Sequence, residues 1–373
     1  MTDILFINSN EALAEYCRQL QRSSLIAVDT EFLRMRTYYP KPGLFQFNDG
    51  ENIALVDPLA VTQWQPLAEV LVNPDVVKVM HACDEDVELF YHFLGIQVQP
   101  VFDTQVAAAL CGFDYSMGYQ RLVQDMLGVE LEKTSSRSDW MQRPLTSIQV
   151  HYAANDVRYL PDIYQQLQAK LAQKQFAQAL AEEYQAVLAN VTNTDFTDAY
   201  QRVKQAWKLN APQFARLKAL ATWRETLMRE KDLPRKKVAA DEALMLLASR
   251  SSWTQQKLFS VEGLPAATVK AEGEALLQLL SAVDTAQASE TVPKPVKMGA
   301  IAQSLKARLA AAARSAGIAE PLLLRKLWIN ELIPRLQAGN YALPESIQGW
   351  RQPYYQQALT QMQARYQAEQ KHD

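Results

Sequence analysis

Short apolar runs separated by turn sequences dominate the first 80 residues and constrain the fold more than any other feature. Each run has the length of a buried strand and is too short for a typical helix. The Asn-Asp-Gly sequence at 48–50 lies where the run at 44–48 ends and before the run at 53–57, as in a β-hairpin. Helical patterns follow Asn10 and cover 63–71, so the mixture predicts an α/β layer fold. The four runs are 25–29, 44–48, 53–57 and 76–80.

From about residue 145 onward the pattern becomes helical almost to the end of the chain. Thr146 and Gln149 match a capping box, which predicts a helix that begins near Ser147 and runs to about residue 173. Alanine- and glutamine-rich stretches follow this helix. We therefore predict an α/β N-terminal domain followed by all-α domains.

Residues 206–290 and 291–373 are similar to each other and indicate a weak repeat. The stretch LATWRETLMREKDLPRKKVAADEALMLLA corresponds to LKARLAAAARSAGIAEPLLLRKLWINELI, which lies about 85 residues later. Each unit is predicted as three helices joined by Pro- or Gly-containing turns, with a linker at 284–299. Chance similarity of amphipathic helices is the alternative, but the matching order of turns favours a true repeat. The predicted domains are 1–195, 206–290 and 291–373.

The charge is divided unequally along the chain, although the net charge is only −3. Residues 1–195 carry 13 Lys+Arg against 25 Asp+Glu, whereas residues 196–373 carry 25 against 16. A basic half is suited to nucleic-acid phosphates, and an acidic half to divalent cations. The alternative is that both are ordinary solvated surfaces.

The sequence predicts a cytoplasmic protein without a membrane span. It has no run of eighteen apolar residues, and its N-terminus lacks the basic and apolar regions of a secretory signal. The three cysteines, Cys17, Cys83 and Cys111, are scattered and odd in number, which is typical of a reduced compartment.

Asp29 and Glu31 interrupt an otherwise apolar strand in the stretch AVDTEF. Residues two apart in a strand point to the same face, so the two carboxylates are neighbours. Like charges on a buried face repel each other and are costly to desolvate. A divalent cation compensates both effects, because hard cations bind carboxylate oxygens. The pattern therefore predicts a metal site that other residues complete.

Two later stretches offer the missing ligands. HACDEDVELF, 81–90, follows a predicted strand, but acidic residues in a first helical turn also stabilise the helix dipole. In HYAANDVRYL, 151–160, Tyr152 and Asp156 lie four apart on one helical face. Such a Tyr can equally belong to the core, and such an Asp can pair locally. Spacing alone does not choose among the acidic residues of the first stretch, which are Asp84, Glu85, Asp86 and Glu88.

The ordered set of motifs resembles the DEDD superfamily of 3′→5′ exonucleases, in its Tyr-bearing subclass. The motifs are Asp29-Thr30-Glu31, His81-x4-Asp86 and Tyr152-x3-Asp156. The resemblance selects Asp86 from the acidic stretch. It implies a ribonuclease H-like exonuclease domain, which is a mixed sheet flanked by helices.

Longer stretches are similar to the ribonuclease D family within that superfamily. They are 34–46, 102–110 and, most closely, 136–164. In the basic half, residues 223–248 resemble the HRDC domain, a helical nucleic-acid-binding module. The repeat at 291–373 resembles that domain more weakly, and it lacks a counterpart of Trp223. The resemblance covers nearly the whole chain.

The resemblance implies hydrolysis of RNA from its 3′ end, with release of nucleoside 5′-monophosphates. In such two-metal sites one ion generates hydroxide and the other stabilises the developing 3′ oxyanion. Tyr152 is expected to orient the attacking water, and the sequence does not settle whether it also accepts a proton. The implied ligands of two Mg²⁺ or Mn²⁺ ions are Asp29, Glu31, Asp86 and Asp156.

Residues near the motifs are candidates for contacts with substrate. Arg137 and Arg143 precede the Tyr-bearing helix and are expected to reach phosphates. Phe32 either stacks on a terminal base or belongs to the core. His81 is expected at a helix start or in support of the site, because hard cations prefer oxygen ligands.

The densest basic run, REKDLPRKK at 229–237, is a candidate for the RNA backbone. Its alternative is a solvated loop between helices. The candidate residues within it are Arg235, Lys236 and Lys237.

The leading hypothesis is a monomeric exoribonuclease that trims tRNA precursors with 3′ extensions. A DNA 3′→5′ exonuclease is the second possibility, because no residue in the sequence shows recognition of the 2′-hydroxyl. A non-catalytic nucleic-acid-binding protein is the third. The four intact carboxylates argue against the third possibility.

Overall fold

A computed structural model of the chain describes residues 4–132, 138–292 and 299–370. These residues form two compact units. The first unit contains the described residues of 1–33, 42–192 and 297–373, and the second contains those of 34–41 and 193–296.

A mixed sheet forms the centre of the first unit, as the sequence predicts. Among the described residues its strand order is β1-β4-β3-β2-β5-β6. β1 is parallel to β4, and β5 is parallel to both β2 and β6. β3 and β4 are antiparallel, so the predicted hairpin is confirmed. The strands are β1 (Ile4–Ile7), β2 (Leu25–Leu33), β3 (Lys41–Asn48), β4 (Ile53–Val56), β5 (Val77–Met80) and β6 (Val101–Asp103).

Helices cover both faces of the sheet, and the alternation along β2 shows how. Ile26 and Val28 lie in one buried cluster with Val87, whereas Ala27 lies in another with Ala154. Ser9 caps the first helix by accepting the Ala12 N–H at 3.2 Å, which fixes its start. The helices are α1 (Asn10–Leu20), α2 (Gln65–Val72), α3 (Asp84–Leu94), α4 (Thr104–Leu110), α5 (Tyr119–Leu127), α6 (Ser147–Arg158), α7 (Leu160–Lys174) and α8 (Ala177–Val191).

The helix predicted from Ser147 to about residue 173 is two helices, α6 and α7, divided at Tyr159. The capping box of Thr146 and Gln149 is confirmed at its start. The prediction of one continuous helix was wrong, because Pro161 lies in the first turn of α7. Proline has no N–H to donate to residue 157, and its ring crowds that carbonyl.

The second unit is helical around its own core. Arg224 lies inside it, with Nη1 2.7 Å from an Asp241 oxygen. Glu225, which is also buried, accepts the Tyr38 hydroxyl at 2.8 Å. Short 3-10 turns at Ala199–Arg202 and Ala206–Lys208 precede its helices. The helices are α9 (Ala211–Glu230), α10 (Arg235–Val238), α11 (Asp241–Ser249), α12 (Gln255–Leu258) and α13 (Ala266–Ala282).

The last three helices belong to the first unit and share its core. Leu305, Leu309 and Tyr355 lie in the same buried cluster as Leu167 of α7. The Ala319 N–H also donates to the Ala109 carbonyl, in the last turn of α4, over 2.9 Å. The boundary predicted at 291 stays a prediction. These helices are α14 (Ala300–Ala316), α15 (Lys326–Gln337) and α16 (Gln352–Gln370).

A buried ion cluster joins α15 and α16 to α8. Glu183, which is 9% exposed, accepts Nη2 of Arg351 at 2.8 Å and Nη2 of Arg325 at 2.7 Å. The Trp350 indole N–H donates to the same carboxylate at 2.9 Å. These bonds satisfy a charge that is otherwise costly to bury.

Among the described residues, no helix has both the length and the apolar character needed to cross a bilayer.

Candidate active site

Three carboxylates meet at one place in the first unit. Asp29 and Glu31 point from one face of β2, and Asp156 reaches them from α6. One oxygen from each side chain lies within 4.8 Å of the other two. All three side chains are partly exposed, so a solute can reach them. The cluster brings together two of the three sequence motifs.

Tyr152 lies one helical turn before Asp156, and the charge of the Asp156 carboxylate acts on its hydroxyl. Its ring packs at 6.0 Å from the ring of Trp140, which is only 3% exposed. The next residue on α6, Ala153, is buried in a cluster with Trp140. The helix therefore places Tyr152 at the edge of the carboxylate cluster.

Asp86 approaches from the opposite side of β2. It lies in the first turn of α3, is 7% exposed and accepts a hydrogen bond from the Thr30 hydroxyl. Thr30 lies between Asp29 and Glu31, so its side chain points to the other face of the strand. Asp86 is outside the three-carboxylate cluster, but its charge acts on Glu31.

Burial dominates the electrostatics of the four carboxylates, and mutual repulsion adds to it for three of them. Burial, followed by the charge of Asp156, raises the pKa of Asp29 well above its usual range. Burial and the other carboxylates raise the pKa of Glu31 to about 9. Burial raises the pKa of Asp156 to about 7, and burial with Asp29 raises the pKa of Asp86. A divalent cation supplies the missing charge, and the all-oxygen donor set suits Mg²⁺ or Mn²⁺.

Asp103 fixes the start of the helix that carries Asp86, although it is not among the site residues predicted from the sequence. Its carboxylate accepts the backbone N–H groups of Ala82 at 3.1 Å and Cys83 at 3.0 Å. The same carboxylate caps α4 by accepting the Gln105 N–H at 2.8 Å. An Asp between an apolar run and a helix is a typical N-cap signal, which was available in the sequence.

His81 supports the second motif and does not join the carboxylate cluster. Its Nδ1 lies 2.9 Å from the Thr104 hydroxyl, and its Nε2 lies 3.0 Å from the Met117 carbonyl. Burial lowers the pKa of the imidazole. The ring therefore connects the end of β5 to α4 and to the segment before α5.

Gly43 allows β3 to pass close to the end of β2. A Cβ at this position would lie 2.7 Å from the Trp140 Cβ and 3.2 Å from the Glu31 carbonyl oxygen. Any side chain here would push Trp140 or the Glu31 backbone out of place. The sequence gives no signal for this requirement, because the two neighbours come from distant segments.

Arg143 does not have the role predicted for it. Its Nε and Nη2 each lie 2.6 Å from an oxygen of Asp57. Its other hydrogen bonds reach three carbonyl oxygens, so all five N–H donors of the guanidinium are used within the protein. We therefore assign Arg143 to holding the segment before α6 and not to phosphate binding. The three carbonyls are those of Gly43, Trp140 and Gln142.

The other residues predicted to contact substrate lie in different environments. Phe32 is partly buried and packs against the core cluster on the side of β2 opposite to Glu31. Arg137 lies outside the described residues. Lys236 and Lys237 are exposed on α10, whereas Arg235 lies 3.8 Å from an Asp241 oxygen. Contact of this basic run with RNA stays a prediction.

Comparisons with known protein families agree with this geometry. A family model described as a 3′-5′ exonuclease matches residues 4–172, which include all three motifs. A second model, the HRDC domain, matches residues 213–280 within the second unit.

Curated relatives match the chain over nearly its full length. Ribonuclease D of Pseudomonas paraeruginosa is 38% identical, with 96% of each chain covered. Ribonuclease D of Escherichia coli is 35% identical, with 96% of this chain and 98% of the relative covered. The crystal structure of E. coli RNase D, described as an exoribonuclease involved in structured RNA processing, has a TM-score of 0.84 at 33% identity. That comparison covers 98% of this chain and 100% of the other. The chain therefore belongs to the ribonuclease D family of 3′→5′ exoribonucleases.

Proposed function

We propose that this exoribonuclease shortens tRNA precursors that carry 3′ extensions and releases nucleoside 5′-monophosphates. The observation that carries the proposal is the cluster of Asp29, Glu31 and Asp156, with Asp86 and Tyr152 beside it. The match to an RNase D described as processing structured RNA supports this class of substrate.

The four carboxylates are suited to hold two divalent ions. When bound, such ions supply a nucleophilic hydroxide at neutral pH and stabilise charge on the leaving oxygen. The chain contributes the ligands, and the partial exposure of Asp29 and Glu31 lets water and substrate reach them. The high pKa values of these groups are the result of burial and mutual repulsion, which cations relieve.

Tyr152 orients the attacking water in this proposal. Burial and the charges of Asp156, Glu31 and Asp29 raise the pKa of Tyr152 far above neutrality. In the metal-free chain the hydroxyl therefore stays protonated and is available as a hydrogen-bond donor beside the site.

The first experiment is digestion of a 5′-labelled tRNA precursor with a 3′ extension, beside a matched single-stranded DNA. Each is incubated with Mg²⁺ or with EDTA, using wild type, Asp29→Ala and the control Asp75→Ala, whose side chain is exposed. We expect stepwise 3′ shortening of the RNA that EDTA and Asp29→Ala abolish and Asp75→Ala retains. Preference for the DNA, or shortening that persists in Asp29→Ala, would overturn the proposal.

A second experiment separates orientation of water from metal binding. We expect Tyr152→Phe to bind Mn²⁺ and RNA as wild type does but to lower kcat at least tenfold, the order expected for one positioned catalytic group. Tyr115→Phe, at a tyrosine that is 43% exposed, is the matched control. Unchanged kcat in Tyr152→Phe would remove it from the mechanism.

Stoichiometry and assembly are separate measurements. Calorimetric titration with Mn²⁺ is expected to give two sites per chain, and a single site would contradict the two-ion proposal. Because one chain supplies all four carboxylates, we propose that a monomer is active, with a light-scattering mass near 42.2 kDa. We place this activity in the cytoplasm, where the free thiols of the chain stay reduced.

A further inference from the structure

The break between α6 and α7 is filled by a side chain from α5. The Tyr159 N–H donates to the Tyr119 hydroxyl at 3.2 Å, and that hydroxyl donates to the Asn155 carbonyl at 2.9 Å. In an uninterrupted helix the Tyr159 N–H would bond directly to the Asn155 carbonyl, four residues earlier. The Tyr119 hydroxyl is thus inserted into the helical hydrogen-bond ladder, a recognised cause of a kink.

A second side chain holds the carbonyls that the break releases. Asn48 Nδ2 donates to the Val157 carbonyl at 3.0 Å and to the Arg158 carbonyl at 3.1 Å. Pro161 would be the helical partner of Val157, but it has no N–H. Asn48 is 4% exposed, and its Oδ1 accepts the N–H of Gly50 at 2.8 Å. This bond to the turn between β3 and β4 fixes the orientation of the Asn48 amide.

Asp156 lies inside the turn that these two side chains hold. The carbonyl before it belongs to Asn155 and is bound by Tyr119, and the carbonyl after it belongs to Val157 and is bound by Asn48. Two residues that lie outside the three sequence motifs therefore hold the backbone on both sides of Asp156.

We propose that Tyr119, together with Asn48, is a positioning residue for the metal ligand Asp156. The inference rests on the proposed metal site. Without the Tyr119 hydroxyl, the Tyr159 N–H and the Asn155 carbonyl are free to approach to the ~2.9 Å of a direct bond. That closure tightens the turn and rotates Asp156 away from Asp29 and Glu31. The hydroxyl therefore keeps the turn open at the width the carboxylate cluster requires.

The test is Tyr119→Phe, which removes the hydroxyl and keeps the ring. We expect the dissociation constant for Mn²⁺, measured by calorimetry without RNA, to rise about tenfold, the scale found for groups that support metal ligands. We expect kcat to fall at standard Mg²⁺ and to recover partly at high Mg²⁺, with KM for RNA unchanged. The control is Tyr164→Phe, which removes a hydroxyl from the same core cluster outside the break.

Unchanged Mn²⁺ affinity in folded Tyr119→Phe would overturn the inference, as would a rise in KM with kcat intact. If that variant does not fold, the same titration on Asn48→Ala decides, because it frees the carbonyls on the other side of Asp156. Weaker Mn²⁺ binding there supports the inference, and unchanged binding refutes it. Wild type that binds no Mn²⁺ would instead refute the metal site of the proposed function.

Discussion

Raising the pH in the absence of divalent cations is expected to destabilise the protein. Burial raises the pKa of each carboxylate of the candidate site above its ordinary range, to about 9 for Glu31, where the other carboxylates add to it, and to about 7 for Asp156. The perturbation is a change from about pH 5.5 to about pH 8.0 in EDTA, a window that lies between the unfolded and folded pKa values of Glu31.

The sign of the effect follows from proton binding. Within this window the folded chain holds a proton on Glu31 that the unfolded chain has released. The free energy of unfolding therefore falls as the pH rises, by at most ~1.4 kcal/mol per pH unit for one group. Asp156 adds a smaller loss that is complete near its pKa of about 7. Because water reaches the partly exposed carboxylates, we expect Glu31 itself to contribute a loss of about 2 kcal/mol across the window.

The measurement is urea unfolding of the metal-free protein at both pH values, compared with Glu31→Gln. The amide does not titrate, so the variant removes the Glu31 contribution and keeps the pH dependence of the rest of the chain. We expect the loss of stability between the two pH values to be smaller in Glu31→Gln by about 2 kcal/mol, the contribution assigned to this group.

Addition of Mn²⁺ tests the same electrostatics independently, because Mn²⁺ is expected to stabilise the folded chain most at the higher pH. A ligand that binds only the folded state stabilises it, and the ion competes with the protons on the carboxylates. We therefore expect Mn²⁺ to raise the unfolding midpoint more at pH 8.0 than at pH 5.5, where protons occupy the ligands. Equal pH dependence in wild type and Glu31→Gln, with equal stabilisation by Mn²⁺ at both pH values, would refute the electrostatic reasoning.

Three further substitutions test other parts of the structure. Glu183→Ala leaves Arg351, which is 6% exposed, without its carboxylate, so the free energy of unfolding in urea should fall by about 3 kcal/mol. A fall of less than about 1 kcal/mol would mean that water replaces the ion pair. Arg143→Lys should lower the free energy of unfolding by about 2 kcal/mol in the same assay, while RNA affinity in filter binding stays unchanged. Weaker RNA binding with unchanged stability would instead support the predicted contact with phosphate. Reversal of charge in Lys236→Glu/Lys237→Glu should weaken RNA binding and lower its salt dependence by about one unit of slope per lost contact, whereas unchanged binding would identify a solvated surface.

Local patterns in the sequence were sufficient for much of the fold. The hairpin of β3 and β4 and the capping box at Thr146 were predicted because their signals lie within a few adjacent residues. β1 and β6 were not predicted. β6 has only three residues, so its pairing with β5 depends on partners that are distant in sequence. The placement of α14–α16 in the first unit also depends on residues distant in sequence, such as Leu309 and Leu167, which share one buried cluster.

The residues of the candidate site were likewise predicted where the signal is local and were not where it depends on distant partners. Asp29 and Glu31 were placed on one face by strand alternation, and the structure puts them there with Asp156. Selection of Asp86 required the resemblance, because its bond to Thr30 crosses 56 positions of sequence. Arg143 was misassigned for the same reason, since its partner Asp57 lies 86 positions away and has no local signal.

The groups that position Asp156 are a hydroxyl and an amide, which are common in proteins, and this explains why the motifs do not include them. A metal ligand must be a carboxylate here, whereas the turn around Asp156 needs only one hydroxyl and one amide at the right places. Tyr119 and Asn48 meet that need by bonding to backbone atoms, which are the same in every residue. A chain that kept all three motifs but lost these two side chains would retain the donors and lose their geometry. In this chain, the hydrogen-bond partners of the helix break are therefore as necessary for the proposed active site as the motif residues are.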